Sequence, residues 1–305
     1  NNNIMNTQIE VIDLNFQNAK ESIGSFLIKT QKGPVLIESG PESTYEALAK
    51  GIQKAGYKVE DIHAVLLTHI HFDHAGAAWK FAKNGAKVYV HEIGLPHLAN
   101  PEKLWNSAAQ IYGDDMERLW GKMEPIENEQ LIAANDGDVI DFGDVQFKVI
   151  YTPGHAIHHN AYQMGDVIFT GDVAGCKIEN GPVVPPCPPP DVDLALWKKS
   201  IQKLKEANPT ALYLTHFARQ EDPITLLNEL EEELDNWAAF MKPFFDAGTP
   251  AQEIVPQFMK FTSDAFREKG LSEEEIKVYE YANPSWMSVN GLLRYWKLKQ
   301  QGRIE

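Results

Sequence analysis

The sequence predicts an α/β (α+β) protein in which strands and helices are interleaved and a helical appendage follows. Three observations support this. Short apolar stretches with strand character recur up to about residue 215, amphipathic helical patterns lie between them, and helical periodicity continues after Arg219 with hardly any strand signal. We therefore expect a core domain over residues 1–221 and a C-terminal helical appendage over residues 222–305.

Composition and charge exclude several classes of protein. The 305 residues are 43% hydrophobic and 23% charged, near the average for globular proteins. A net charge of −15 opposes binding to nucleic acid and to anionic membranes. No apolar run is long enough to span a bilayer, and the first residues do not form a basic segment followed by an apolar one. We expect a cytoplasmic protein with a small-molecule substrate and, because only Cys176 and Cys187 are present, free thiols.

The first part of the chain is expected to alternate between strands and a helix. Short apolar stretches bounded by Asn, Gly and Pro predict successive antiparallel strands at residues 9–16, 22–30 and 34–38. A helix is expected over residues 41–56, where Leu48 and Ile52 recur at helical spacing. Residues 64–68 form an unbroken apolar run, which is typical of a strand covered on both faces.

The middle of the chain continues this alternation. We expect a helix at residues 75–83, a strand at residues 87–90 and a mainly helical stretch at residues 93–123. Two strands joined by a turn follow at residues 139–151, and a buried strand at residues 167–170.

A proline-rich segment interrupts the pattern. Six prolines between residues 181 and 190 exclude a regular ladder and predict a stiff loop. An amphipathic helix over residues 194–207 and a last strand over residues 211–215 follow it.

The remaining chain predicts helices at residues 223–245, 250–269 and 272–281. The many aromatic residues of this appendage must pack against something. It could cap the core, form a homodimer contact, or wall the active site with residues 284–287 as its lip.

One short segment concentrates metal-ligating side chains. Directly after the predicted strand at residues 64–68 come His69, His71, Asp73 and His74. His69 and His71 alternate, so in an extended backbone both point to one side, and a turn can direct Asp73 and His74 toward a neighbouring point. Imidazole nitrogens suit zinc, iron and related ions.

Three remote residues complete the candidate ligand set. His155, Asp172 and His216 each follow an apolar strand that ends in Thr, Gly or Pro. Strand ends that meet at one edge of a sheet could bring these side chains to the cluster. His158 and His159 are expected to support the site or to face solvent, because nothing indicates a third metal.

This pattern resembles the metallo-β-lactamase superfamily, in its hydrolase branch related to glyoxalase II and the quorum-quenching lactonases. The resemblance covers residues 9–217, and its His-x-His-x-Asp-His signature is highly specific. It implies a four-layer αββα sandwich with a metal site along one edge. It also implies that His69, His71 and His155 hold one metal, that Asp73, His74 and His216 hold a second, and that Asp172 bridges the two.

The same resemblance separates branches of the family. The β-lactamases of this fold lack the aspartate at the position of Asp172, and the flavodiiron oxygen reductases have Glu where His71 stands. The nuclease branch usually carries a large inserted domain, which we cannot find here. Persulfide dioxygenases share much of the pattern with a single iron ion and remain a competing prediction, as does a non-catalytic metal-binding scaffold.

The implied activity is hydrolysis of a small ester, thioester or lactone by a hydroxide that bridges two divalent metal ions. Zinc is the expected ion, with iron or manganese as alternatives. Asp73 and Asp172 are the expected catalytic residues, and Asp73 also orients or relays a proton. Lactonases carry a Tyr three residues after the bridging aspartate, where this chain has Gly175, so Tyr112 and Tyr281 are candidate proton donors that could equally be packing residues.

Overall fold

Two six-stranded sheets form the centre of the protein in a computed structural model that describes residues 9–305. The expectation about a targeting segment concerns residues 1–8, which lie outside the described residues. Spatially, the first sheet follows chain order: β1 (Ile9–Asp13), β2 (Gly24–Ile28), β3 (Val35–Ile37), β4 (Ala64–Leu66), β5 (Lys87–Val90) and β6 (Leu131–Ala133). In the second sheet, too, neighbouring strands are consecutive in the chain: β7 (Val139–Asp141), β8 (Gln146–Tyr151), β9 (Asn160–Met164), β10 (Val167–Gly171), β11 (Ala211–Leu214) and β12 (Ala218–Gln220).

Both sheets are mixed. In the first, β1, β2 and β3 pair antiparallel and the remaining neighbours pair parallel. In the second, only β10 and β11 pair parallel. Since β9 is antiparallel to both β8 and β10, the strands β8, β10 and β11 all end at the same edge of their sheet.

Helices cover the outer faces of the sheets. The α-helices are α1 (Tyr45–Lys54), α2 (Phe72–Ala75), α3 (Ala78–Lys83), α4 (Leu95–Ala99), α5 (Glu102–Tyr112), α6 (Met116–Trp120), α7 (Leu194–Glu206), α8 (Pro223–Ala247), α9 (Ala251–Glu268), α10 (Glu273–Ala282) and α11 (Ser285–Gln300). Short 3-10 turns lie at Phe16–Asn18, Glu42–Thr44, Val59–Asp61, Gly113–Asp115 and Asn128–Gln130. None of the helices in the described part of the chain is long and apolar enough to cross a bilayer.

Three apolar interfaces separate four layers, as the resemblance implied. Strand β4 illustrates why: Ala64 and Leu66 belong to the core between the sheets, whereas Val65 belongs to the core under the outer helices. A strand buried on both faces needs apolar residues at every position, which is the unbroken run seen in the sequence. The predicted αββα sandwich is confirmed.

The C-terminal helices pack on the outer face of the second sheet. Leu212 of β11 and Trp197 of α7 share one buried cluster with Leu230, Phe258 and Leu292 of helices α8, α9 and α11. Local signals define where these helices begin. The side chain of the residue before α8 caps it, and a capping box opens α10.

Backbone hydrogen bonds also join the two sheets directly. Gly24 N, at the start of β2, donates to Thr215 O at 2.9 Å, and Asn160 N, at the start of β9, donates to Thr68 O at 2.7 Å. Both bonds lie at the edge where β4, β8, β10 and β11 end.

The expected elements agree with the structure apart from short strands and one helix. The strands β6, β9 and β12 were not predicted. Residues 284–287, the expected lip, include the first turn of α11, and their role at the active site stays a prediction. Helix α1 is preceded by a 3-10 turn, and the helix expected at 75–83 is split into α2 and α3. The proline-rich segment is a loop with a single β-bridge, and both cysteines are free and buried.

Candidate metal centre

Seven His and Asp side chains meet at one edge of the two sheets. They come from four stretches of chain: the segment after β4, and the exits of β8, β10 and β11. Single-turn helix α2 supplies two of them, because it begins directly after the alternating histidines. The seven residues are His69, His71, Asp73, His74, His155, Asp172 and His216.

The side chains form two groups that share Asp172, and in each group the potential ligand atoms lie within 4.8 Å of one another. The first group comprises His69, His71, His155 and Asp172, and the second comprises Asp73, His74, Asp172 and His216. This arrangement suits two metal ions that share one carboxylate. The assignment of these residues as ligands stays a prediction.

Distances in the first group fit a metal site. His155 Nε2 lies 3.2 Å from His69 Nε2 and 3.3 Å from His71 Nδ1. With metal–nitrogen bonds of about 2.1 Å in a tetrahedron, two ligand nitrogens are roughly 3.4 Å apart. The three imidazoles are therefore already close to the spacing that one zinc-like ion requires.

Atoms of the second group are buried without hydrogen-bond partners. His74 Nε2 and His216 Nε2 lie 3.3 Å and 3.1 Å from Asp73 Oδ2, yet neither nitrogen forms a hydrogen bond to any described residue, nor does Asp172 Oδ1. Buried polar atoms are seldom left in this condition. A metal cation is bound by nitrogen and oxygen atoms that converge on a common point without bonding one another. These residues therefore fit a metal ion.

The imidazoles of the first group are kept neutral. Burial lowers the pKa of His69 well below its usual range, and the neighbouring His74 and His71 lower it further. Burial, assisted by His155, lowers the pKa of His71 to about 3. A neutral imidazole offers the lone pair that binds a metal.

The carboxylates are kept ionised. Burial opposes ionisation of Asp172, but His74 and His216 outweigh it and hold the pKa of Asp172 well below its usual range. His74 and His216 lower the pKa of Asp73 against burial in the same way. Conversely, the carboxylates of Asp172, Asp73 and Glu38 overcome burial and raise the pKa of His74. Metal binding to the second group should therefore release a proton.

Glu38 is a buried residue beside the candidate ligands that the sequence analysis missed. It follows β3 with a φ of 68° and is fully buried. Its carboxylate accepts hydrogen bonds from Thr68 N at 2.8 Å, Thr68 Oγ1 at 3.0 Å and Thr215 Oγ1 at 3.0 Å, and it contacts His74 Nδ1. By holding the Nδ1 proton of His74, Glu38 leaves His74 Nε2 for the second group.

Other outer partners orient the remaining ligands. His155 Nδ1 donates to the carbonyl of Pro186 and His216 Nδ1 to that of Ser22, both at 2.7 Å, so each Nε2 faces the centre. His159 Nε2 accepts a hydrogen bond from Asp172 N at 3.1 Å. His159 therefore supports the site from a buried position.

Aromatic side chains gather beside the cluster. Phe72, in the first turn of α2, lies with its ring centroid 6.0 Å from that of Trp120. The ring centroid of Tyr112 lies 5.6 Å from that of Trp120 and 5.7 Å from that of Trp286. The Tyr112 hydroxyl lies 3.7 Å from Met287 Sδ. Helices α5, α6 and α11 thus form one aromatic wall next to the ligand-bearing turn.

The turn that presents His155 requires glycine, which yields a first prediction. Gly154 has a φ of 135°, and a Cβ there would lie 2.3 Å from the Cα of Trp197 in α7. Gly154→Ala should therefore lower the free energy of unfolding by about 3 kcal/mol or more through strain and overpacking, as measured by chemical denaturation.

Gly137→Ala is the matched control, because Gly137 has a φ of 84° and open space around its missing Cβ. Backbone strain alone should cost about 1–2 kcal/mol there. Equal losses in the two variants would contradict the steric explanation.

The sequence is similar to known proteins that have the same fold. Residues 22–216 match the sequence profile of the Metallo-beta-lactamase superfamily. A metallo-beta-lactamase fold-containing protein of Sulfurisphaera tokodaii is 31% identical over 168 residues, which are 52% of this chain and 61% of that protein. This match covers less than two thirds of that relative's length.

One further relative and one solved structure of similar fold extend the comparison. An N-acyl homoserine lactonase of Bacillus thuringiensis is 25% identical over 250 residues, 68% of this chain and 81% of that protein. The crystal structure of a metallo-beta-lactamase family protein from Thermus thermophilus has a TM-score of 0.70 at 18% identity and covers 97% of this chain and 94% of that one. The latter similarity extends the agreement in fold to the C-terminal helices.

Proposed function

Because this chain belongs to the metallo-beta-lactamase superfamily, we propose that it is a metal-dependent hydrolase that holds two divalent ions and cleaves a small ester, thioester or lactone. One observation carries the proposal: two groups of ligand-type side chains share Asp172. Curated relatives described as metallo-hydrolases or lactonases support hydrolysis.

The side chains have separate roles in this proposal. His69, His71 and His155 would hold one ion, Asp73, His74 and His216 the other, and Asp172 would contribute to both. Two bound divalent ions would lower the pKa of a shared water and polarise the carbonyl of the substrate.

Of the two carboxylates in the cluster, Asp73 is the more accessible to a water molecule. Its side chain is 18% exposed, whereas that of Asp172 is 5% exposed. Its Oδ2 atom lies 3.1 Å from His216 Nε2. We propose that Asp73 orients the attacking water and accepts its proton.

Gly175 argues against acyl-homoserine lactones as the substrate. Gly175 has a φ of 84°, and a Cβ there would lie 2.7 Å from the carbonyl oxygen of Val184 and 3.0 Å from Leu230. A tyrosine, as found at this position in lactonases, would not fit. Tyr112 and Tyr281 are the other candidate proton donors. Tyr281 packs against the core of the first sheet, whereas Tyr112 belongs to the aromatic wall. We propose that this wall binds the apolar part of the substrate.

Metal analysis combined with a substrate panel tests the proposed function. We expect two metal ions per chain, activity on a thioester, aryl ester or lactone, loss of that activity with a chelator, and recovery when Zn²⁺ or Mn²⁺ is added back. One iron ion per chain with oxygen uptake would favour a persulfide dioxygenase. Two bound ions without any hydrolysis would favour a metal-binding scaffold.

A further inference from the structure

We infer that the C-terminal helix α11 positions the metal ligand His155 through the proline-rich loop. This inference rests on the proposed metal centre. It gives the helical appendage a role in metal binding in addition to covering the second sheet.

The first contact orients the imidazole. Since a carbonyl oxygen can only accept, the 2.7 Å contact with Pro186 places the proton of His155 on Nδ1. The lone pair of His155 Nε2 then faces His69, His71 and Asp172. Outer partners of this kind fix both the tautomer and the ring direction of a metal-bound histidine.

The second contact anchors the loop. In residues 185–190 every residue except Cys187 is a proline, so Cys187 supplies the only backbone N–H of this stretch. That N–H donates to Ser288 Oγ of α11 at 3.2 Å. The Cys187 N–H and the Pro186 carbonyl belong to one planar peptide group, so a rotation of this group away from Ser288 would redirect the carbonyl that holds His155.

Further contacts hold the loop against the same helix. Ser288 Oγ donates to Asn283 Oδ1 at 3.1 Å, and Asn283 Nδ2 donates to Pro185 O at 3.4 Å. Gly291 lies one turn farther along, where a Cβ would be 1.8 Å from Cys187 O. Ser288 and Gly291 of α11, together with Asn283 just before the helix, thus meet the loop at three buried points.

Ser288→Ala tests the inference, with Ser285→Ala as its control. Ser285 is also buried near the start of α11, but its hydroxyl bonds Glu280 at 2.7 Å rather than the loop. Metal-free protein would be titrated with Co²⁺ in competition with a chelator. The visible absorption of protein-bound Co²⁺ would report each binding step. We expect Ser288→Ala to weaken one of two binding steps about tenfold and to change its spectrum, while Ser285→Ala leaves both steps unchanged.

The outcomes separate the two proposals. Two normal binding steps in folded Ser288→Ala, or equal weakening in both serine variants, would overturn the role of α11 but leave the metal centre intact. A wild-type chain that binds no Co²⁺ would overturn both. If Ser288→Ala does not fold, Asn283→Ala, which releases the Pro185 carbonyl, must show the selective loss instead, and unchanged affinity there would refute the inference.

Discussion

Asp172→Ala is expected to abolish binding of both metal ions and to lower hydrolysis by roughly 10³-fold or more, the equivalent of several kcal/mol of transition-state stabilisation. The reason is position. Asp172 Oδ2 lies 3.2 Å from both His155 Nε2 and His74 Nε2, and Oδ1 lies 3.5 Å from His216 Nε2. One carboxylate therefore serves both groups, and its removal also leaves buried histidines without their counter-charge. Metal content by mass spectrometry and initial rates on the best panel substrate measure the effect.

Asp166→Ala is a suitable control for this prediction. Asp166 lies at the opposite end of β10 and bonds Thr210 Oγ1 at 3.0 Å. It should keep both metals and full activity. An Asp172→Ala variant with two bound ions and undiminished rates would contradict the shared-carboxylate arrangement.

Glu38→Ala is expected to destabilise the metal-free protein by about 3–5 kcal/mol and to reduce metal binding at the second group. The substitution leaves the Thr68 amide and the hydroxyls of Thr68 and Thr215 without an acceptor in a fully buried location. Unsatisfied buried donors cost roughly 1–3 kcal/mol each. His74 also loses the partner that holds its Nδ1 proton.

Chemical denaturation of the metal-free chain separates this effect from metal loss. Glu46→Ala, at an exposed position on α1, should change stability by no more than about 0.5 kcal/mol. Glu38→Gln keeps the shape of the side chain and one acceptor oxygen, so its loss of stability should lie between those of Glu38→Ala and Glu46→Ala. A loss below about 1 kcal/mol in Glu38→Ala would show that the buried carboxylate is not a structural requirement.

Strong local patterns predicted most of the fold. The unbroken apolar run predicts β4, and the amphipathic patterns predict α1 and α7. In each case the apolar residues are those that pack against the neighbouring layer. The strand β6 has a single buried residue, β12 reads Ala-Arg-Gln without a buried residue, and β9 begins with Asn160, whose side chain bonds Ala134 O. Such strands are defined by their neighbours in the sheet, which a single sequence does not display.

The candidate site divides in the same way. His69 to His74 form a dense local cluster, and His155, Asp172 and His216 each follow an apolar strand, so all could be selected from the sequence. Glu38 could not, because one carboxylate after a short strand looks ordinary until Thr68 and Thr215, 30 and 177 residues away, are seen to bond it. The link from Ser288 to His155 was hidden for the same reason.

The bonds from Gly24 to Thr215 and from Asn160 to Thr68 have a consequence for thermal motion. Both connect the sheets beside the ligand cluster, so separating or sliding the sheets there requires breaking buried amide hydrogen bonds. At the far edge the bonds from Gln31 N to Asp144 Oδ1 and from Lys32 Nζ to Asp141 O are exposed, so we expect larger motion between the sheets there than at the buried edge. The proposed metal centre, assembled from both sheets, would keep its dimensions because these buried bonds restrain the sheets beside it.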